Sequence, residues 1–167
     1  AKIVAAFDAS VLVYDPFLDS KIIKEVGAKP VGLDDLMKKS DVITLHASTT
    51  PEAMGLISAQ RIALMKPTAY LINAANAFVL DNEAIIKALK EKRIAGAAFD
   101  VFETWPVRAD SPLLKMDNVV LTPHIGGATA ETVIRYSEMM VDDIERFLKG
   151  ERPKNLLNPQ VWRKSAR

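Results

Sequence analysis

The stretch VITLH, residues 42–46, is typical of a buried strand that is followed by a polar residue, His46, at the end of a sheet. Its apolar and β-branched residues run without polar alternation, which is typical of a strand covered on both faces in a parallel sheet. Four similar runs occur along the chain, and each ends next to a polar residue or a proline. They are residues 11–14, 69–72, 94–99 and 119–121.

Helical patterns separate these runs. Residues 81–92 place their apolar side chains on one face and have Asp81 as a candidate N-cap. Residues 130–149 do the same over a longer helix, with Thr129 as the cap and Gly150 at the exit. The alternation predicts an α/β fold: a doubly wound, Rossmann-like parallel sheet in three layers.

Composition narrows the possible functions. Lys and Arg number 22 against 21 Asp and Glu, so the chain carries no overall charge suited to nucleic acid or an anionic membrane. There is no cysteine, which excludes disulfides and thiolate chemistry. No apolar run reaches the about 18 residues that a membrane helix needs. We expect a cytoplasmic location and a solvated basic tail, formed by Arg163, Lys164 and Arg167.

Polar residues at strand ends are the candidates for a ligand site, because doubly wound sheets bind ligands at the carboxyl ends of their strands. Asp15 can accept hydrogen bonds from both hydroxyls of an adenosine ribose, and would repel a 2′-phosphate, which favours NAD over NADP. The alternative is a turn residue before Pro16. Asp100 can bind a nicotinamide amide or cap a turn, and His46 is either structural or a backbone contact to a cofactor.

His124 lies in the stretch LTPHIGG, residues 121–127. Imidazole is the usual acid–base group near neutral pH, and the two glycines allow close approach of the backbone to a ligand. A hydrogen-bonded structural histidine is the alternative. None of the seven glycines forms the G-x-G-x-x-G phosphate loop, and the histidines and carboxylates show no metal-ligand spacing.

Taken together, these segments resemble the D-isomer-specific 2-hydroxyacid dehydrogenases. The matching pieces are residues 11–16, 41–57, 71–88, 95–106 and 111–129. The resemblance implies a dinucleotide-binding domain over residues 1–152, whose first strand and glycine loop would precede residue 1. Residues 153–167 would cross toward a separate substrate domain, and the protein would form a homodimer.

The resemblance also implies a reaction, the transfer of a hydride between NAD and a small 2-hydroxy or 2-keto acid. His124 matches the histidine that protonates the substrate oxygen, Asp15 the ribose-binding acid, and Asp100 the acid near the nicotinamide carboxamide. The full set of predicted cofactor contacts is Asp15, His46, Ala47, Ser48, Pro51, Ala74, Ala75, Asp100, His124, Gly126 and Gly127.

Two predicted catalytic positions depart from the family pattern. Asn76 stands where the resemblance places an arginine for the substrate carboxylate, and Trp105 where it places a glutamate that pairs with the histidine. Glu103 and Arg108 are candidate replacements. Ser48 stands in place of a proline. The departures leave two rival hypotheses: a dinucleotide-binding or interaction module with weakened catalysis, and a fragment without a function of its own.

Overall fold

The computed structural model describes residues 2–162, so the predicted basic tail of Arg163, Lys164 and Arg167 lies outside the described residues. The chain divides into two compact units between Pro123 and His124. The division of the chain into residues 1–152 and 153–167 by function stays a prediction.

The first unit holds all six strands and five of the helices described below. The strands are β1 (Leu12–Val13), β2 (Lys29–Pro30), β3 (Val42–Leu45), β4 (Tyr70–Asn73), β5 (Gly96–Phe99) and β6 (Val119–Leu121). The helices are α1 (Lys2–Ala5), α2 (Ser20–Glu25), α3 (Leu33–Lys39), α4 (Ala59–Ile62) and α5 (Asn82–Lys90). Three 3₁₀ turns accompany them, at Pro51–Ala53, Ala77–Val79 and Pro112–Lys115.

The strands form two parallel sheets. One pairs β1 with β2, and the other has the order β3-β4-β5-β6. Parallel neighbours require crossover connections, and α4, α5 and the 3₁₀ turns lie in these connections. The predicted parallel α/β fold is confirmed. Among the described residues β1 and β2 pair apart from the other four strands.

The core lies on one face of the four-stranded sheet. Ile43 and Leu71 cluster with Ile85 and Leu89 of α5. Tyr70 is 53% exposed on the opposite face. The expectation that β3 and β4 are buried on both faces was therefore wrong. Apolar residue types permit burial, but burial also needs a covering layer, and the helices whose residues join this core pack on one side.

Helix ends follow the predicted caps. The side chain of Asp81 accepts a hydrogen bond from the Ala84 N–H at 3.0 Å and starts α5. In the second unit, Thr129 accepts from the Thr132 N–H at 3.1 Å and starts α6 (Ala130–Leu148). Gly150 follows with a positive φ of 71°, as a helix exit requires. The second unit ends its described part with a 3₁₀ turn, Pro159–Val161.

Some short elements lay beyond the sequence prediction or differ from it. Strand β1 is shorter than the predicted residues 11–14, and neither β2 nor α4 was predicted. Each of these elements has four residues or fewer, too few to show a period of 2 or 3.6. Among the described residues, no helix is long and apolar enough to cross a membrane.

Candidate functional site

The carboxyl ends of the four paired strands lie at one edge of the sheet. The register aligns Leu45, Asn73, Phe99 and Leu121 across the four strands. The residues that follow them in the first unit therefore lie at the same edge. They are His46 after β3, residues 74–76 after β4, Asp100 after β5 and Thr122 after β6.

A cleft of about 620 Å³ opens between the end of β1 and the segment after β3. It brings together four of the predicted cofactor contacts: Asp15, His46, Ala47 and Ser48. Pro51 does not line it, although it begins the 3₁₀ turn whose Glu52 and Ala53 do. The remaining lining residues are Tyr14, Pro16, Phe17, Leu33, Leu36, Ile43, Thr44, Leu45, Thr50, Leu56, Ile57 and Val79.

Asp15 is exposed just after the carboxyl end of β1, and its Oδ1 accepts a hydrogen bond from the Phe17 N–H at 2.9 Å. This bond closes the turn around Pro16, so the alternative interpretation of Asp15 as a turn residue holds as well. A carboxylate has about four acceptor sites, so one backbone contact leaves capacity for the two hydroxyls of a ribose.

The cleft is acidic. Glu52 carries a carboxylate whose pKa lies below its usual value, because its own backbone N–H and then the Thr50 hydroxyl donate to the charged form. Neither lysine nor arginine occurs among the described residues that line the cleft. An acidic wall without a cation fits an unphosphorylated ribose and opposes a 2′-phosphate. His46 also lines the cleft, and its Nε2 lies 3.0 Å from the Thr44 hydroxyl.

Asn73 organises the turn that follows β4. Its side chain is 1% exposed. Its Oδ1 accepts from the N–H groups of Ala75 at 3.1 Å and Asn76 at 3.3 Å, and its Nδ2 donates to the Asn76 carbonyl at 2.9 Å. A single buried amide thus fixes the backbone of the predicted contacts Ala74 and Ala75, together with Asn76.

The amide of Asn76 turns back onto its own chain. Its Oδ1 accepts from the Phe78 N–H at 2.8 Å, which caps the 3₁₀ turn Ala77–Val79. Its Nδ2 donates to the hydroxyl of Thr49. This neutral amide therefore joins the loop after β4 to the loop after β3.

Asp100 is buried at the end of β5, with 7% exposure. Its Oδ1 accepts a hydrogen bond of 2.5 Å from the Thr122 hydroxyl, and its backbone N–H donates to the Asn73 carbonyl at 3.0 Å. The carboxylate is thus held at the strand-end edge between the ends of β4 and β6.

The loop after β5 carries Trp105, whose side chain is 57% exposed and stacks on Phe102 with ring centroids 6.2 Å apart. Glu103 accepts a hydrogen bond from the Asn82 side chain at 3.0 Å. Arg108 forms two hydrogen bonds to Asp110, at 2.9 and 2.8 Å. This pairing lowers the pKa of Asp110 and raises that of Arg108. These contacts tie both candidate replacements to other side chains of the loop and α5.

His124, Gly126 and Gly127 are exposed residues at the start of the second unit. His124 has a φ of 55°, in the left-handed region that residues other than glycine rarely adopt. Such backbone conformations cluster at functional sites. Within the part of the chain that the structure describes, no three histidine or acidic side chains gather as a metal site would require.

A family model described as the NAD binding domain of the D-isomer specific 2-hydroxyacid dehydrogenases matches residues 1–126, more than half of the chain. The chain belongs to this family. The match includes every predicted site residue except Gly127.

Two relatives illustrate where the chain lies within the D-isomer specific 2-hydroxyacid dehydrogenases. It is 44% identical to a glyoxylate reductase of Thermofilum pendens, over 96% of this chain and 48% of that protein. It is 39% identical to a D-3-phosphoglycerate dehydrogenase of Archaeoglobus fulgidus, over 95% of this chain and 30% of that protein. The chain thus spans about half or less of the length of these relatives.

Comparison with a solved structure agrees with the family assignment. The D-lactate dehydrogenase of Aquifex aeolicus, complexed with NAD and lactic acid, superposes with a TM-score of 0.80 at 35% identity. The superposition covers 90% of this chain and 50% of that one. Parallel Rossmann-like architecture is therefore shared with this member of the family.

Sequence reasoning missed three residues of this candidate site. Glu52 lies within the matching segment 41–57, but nothing in the sequence predicted that its charge faces the cleft. Asn73 is the polar residue next to the predicted run 69–72, and its role in the following turn was not predicted. Thr49 had no signal at all, since its partner Asn76 lies 27 residues away.

Proposed function

We propose that this chain is the cofactor-binding part of an oxidoreductase that transfers a hydride between NAD(H) and a small D-2-hydroxy or 2-keto acid. The observation that carries the proposal is the acidic cleft at Asp15, in a chain of the D-isomer specific 2-hydroxyacid dehydrogenases. Bound there, NAD(H) supplies or accepts the hydride.

The residues around the cleft take the binding roles. Asp15 accepts from the ribose hydroxyls, and the segment of His46, Ala47 and Ser48 forms the wall beside it, followed by Pro51. We assign Asp100 to the nicotinamide amide, because it is a buried acceptor at the same sheet edge. The proposed contacts also include Ala74, Ala75, Gly126 and Gly127. A methyl side chain, or none in glycine, lets the backbone approach a ligand closely.

His124 has the role of acid and base. In the reductive direction its ring donates a proton to the oxygen that forms on C2 of the keto acid, and in the oxidative direction it takes that proton back. Its exposed position and left-handed backbone support this role.

Asn76 and Trp105 set the chemistry apart from the family pattern. An uncharged amide at position 76 binds a carboxylate less strongly than a guanidinium fork does. An indole at position 105 cannot stabilise an imidazolium as a carboxylate does. We propose that turnover of simple 2-keto acids is correspondingly slow.

The test is NADH oxidation by the whole protein with glyoxylate, pyruvate and hydroxypyruvate, alongside NADH binding by fluorescence titration. We expect turnover with at least one of these acids. His124→Gln should lower kcat by roughly 10²- to 10⁴-fold, the typical worth of acid–base catalysis, and leave NADH affinity unchanged. Binding of NADH without turnover would favour the hypothesis of a binding module with weakened catalysis over that of an enzyme. Absence of both binding and turnover would contradict both hypotheses.

We further propose a homodimer, which the family resemblance implies, in the cytoplasm, which the composition predicts. Light scattering of the whole protein at micromolar concentration should give twice the mass of one chain. A monomeric mass would contradict the dimer.

A further inference from the structure

Asn76 has an unusually constrained position for a loop residue. Both its backbone N–H and its carbonyl bond to the side chain of Asn73, which is 1% exposed. A buried polar group keeps such partners because losing them leaves it unsatisfied. The Asn76 side chain therefore starts from a fixed backbone.

That side chain has both ends engaged. Oδ1 accepts from Phe78 N–H at 2.8 Å, and Nδ2 donates to the Thr49 hydroxyl. An amide with its acceptor and a donor so committed, and without charge, is poorly suited to hold a carboxylate.

Thr49 lies within the segment that forms one wall of the cofactor cleft but is not itself a lining residue. The residues on either side of it line the cleft: His46, Ala47 and Ser48 before it, and Thr50 after it. A bond of 3.0 Å from the Thr50 N–H to the Ser48 carbonyl folds this segment into a tight turn around Thr49. Neither Thr49 nor Asn76 lines the cleft itself.

We infer that Asn76 is a positioning residue, which fixes the cleft wall through Thr49 and does not bind the substrate carboxylate. The inference rests on the proposed function, in which the cleft holds NAD(H). A wall held in its binding conformation before the cofactor arrives loses less conformational entropy on binding. The Thr49–Asn76 contact therefore determines the affinity for the cofactor rather than the affinity for the acid.

Thr49→Val tests this directly, because valine keeps the branched shape and loses the hydroxyl. In the whole protein we expect NADH to bind roughly 2- to 10-fold more weakly, the change that one neutral hydrogen bond produces. The KM for the keto acid and kcat should stay unchanged. Thr49→Ser retains the hydroxyl and should restore wild-type affinity. Thr68→Val, at the other end of β4, is the matched control and should bind NADH as the wild type does.

A double-mutant cycle identifies the partner. Asn76→Ser keeps a capping oxygen for Phe78 but is too short to reach Thr49. If the contact is the cause, Thr49→Val adds no further loss of NADH affinity to Asn76→Ser. Additive losses would overturn the inference. So would a rise in the KM for the keto acid on Asn76→Ser with NADH affinity intact, since that is the signature of a carboxylate ligand.

Failure of the proposed function can be distinguished from failure of the inference about Asn76. A wild-type protein that does not bind NADH overturns the cofactor cleft and this inference together. A wild-type protein that binds NADH, with a Thr49→Val variant that binds it equally well, overturns the inference alone. Unfolding curves of all variants are the control that establishes whether each is folded at the temperature of the titration.

Discussion

The end of strand β4 and the long helix α6 are both rich in apolar residues, yet they hold their structure in different ways. Leu71 is 0% and Asn73 1% exposed, whereas no residue of α6 is buried. Ile134 on α6 is 58% exposed. The strand end is fixed by packing and by a buried amide, while the helix depends on its cap and on contacts along its own surface. Apolar composition alone does not distinguish the two situations.

The largest expected effect comes from shortening one apolar side chain in each region. Leu71→Ala should lower the free energy of unfolding by about 2–5 kcal/mol, because it leaves a cavity in the packed core. Ile134→Ala should change it by less than about 0.5 kcal/mol, since the side chain is exposed. Urea unfolding of both variants measures the difference. Equal losses would show that the apolar face of α6 is packed in the whole protein, and would end the contrast.

A cap substitution tests the local origin of α6. Thr129→Ala removes the acceptor for the Thr132 N–H and should cost about 1 kcal/mol of stability. Circular dichroism on heating should show helix signal lost earlier than in the wild type. Thr129→Ser keeps the oxygen and is the control. A Thr129→Ala variant that melts as the wild type does would mean that packing, and not the cap, maintains this helix.

The smallest effect concerns the chain that leaves α6. Asp143 accepts hydrogen bonds from the backbone N–H groups of Lys154 and Asn155 and from the Asn155 side chain. The Asn155 side chain is the main cause of its lowered pKa, and the backbone of Lys154 and Asn155 lowers it further. A lowered folded-state pKa means that this stabilisation is present above the ordinary carboxyl pKa and is lost as the pH falls through the folded value.

Hydrogen exchange at the Lys154 and Asn155 amides measures that effect. Once corrected for intrinsic exchange rates, protection should be constant near neutral pH and decline in acid below about pH 4. Asp143→Asn should exchange roughly 2- to 5-fold faster at neutral pH, as expected for exposed charged contacts, and should lose the acid dependence. Asp142→Asn, whose carboxylate pairs only with the Lys154 side chain among the described contacts, is the matched control and should retain it.

Local signals made part of the fold predictable. Strand β3 matches residues 42–45, and α6 ends one residue before the predicted Lys149. In both cases an apolar pattern and a boundary residue lie within one segment, so neighbouring residues contain the information. The same holds for the strand-end residues Asp15 and His46, which the cleft brings together.

Contacts across the chain were not predictable. Strands β1 and β2 pair with each other and not with the other four strands. The residue types within a strand do not specify which strand it pairs with. The Asn76–Thr49 bond joins residues 27 apart. The stacking of Trp105 on Phe102 depends on the course of an irregular loop. Each requires three-dimensional packing before the side chain finds its partner.

The most direct test of the account is a titration of the whole protein with NADH and with NADPH, repeated for Asp15→Ala. We predict that the wild type prefers NADH, because the cleft carries carboxylates and no cation among its described lining residues. Loss of hydrogen bonds to a charged acceptor should weaken NADH binding roughly 10- to 100-fold, while NADPH binding changes much less. An Asp15→Ala variant that binds NADH as tightly as the wild type would contradict the assignment of this cleft to the cofactor.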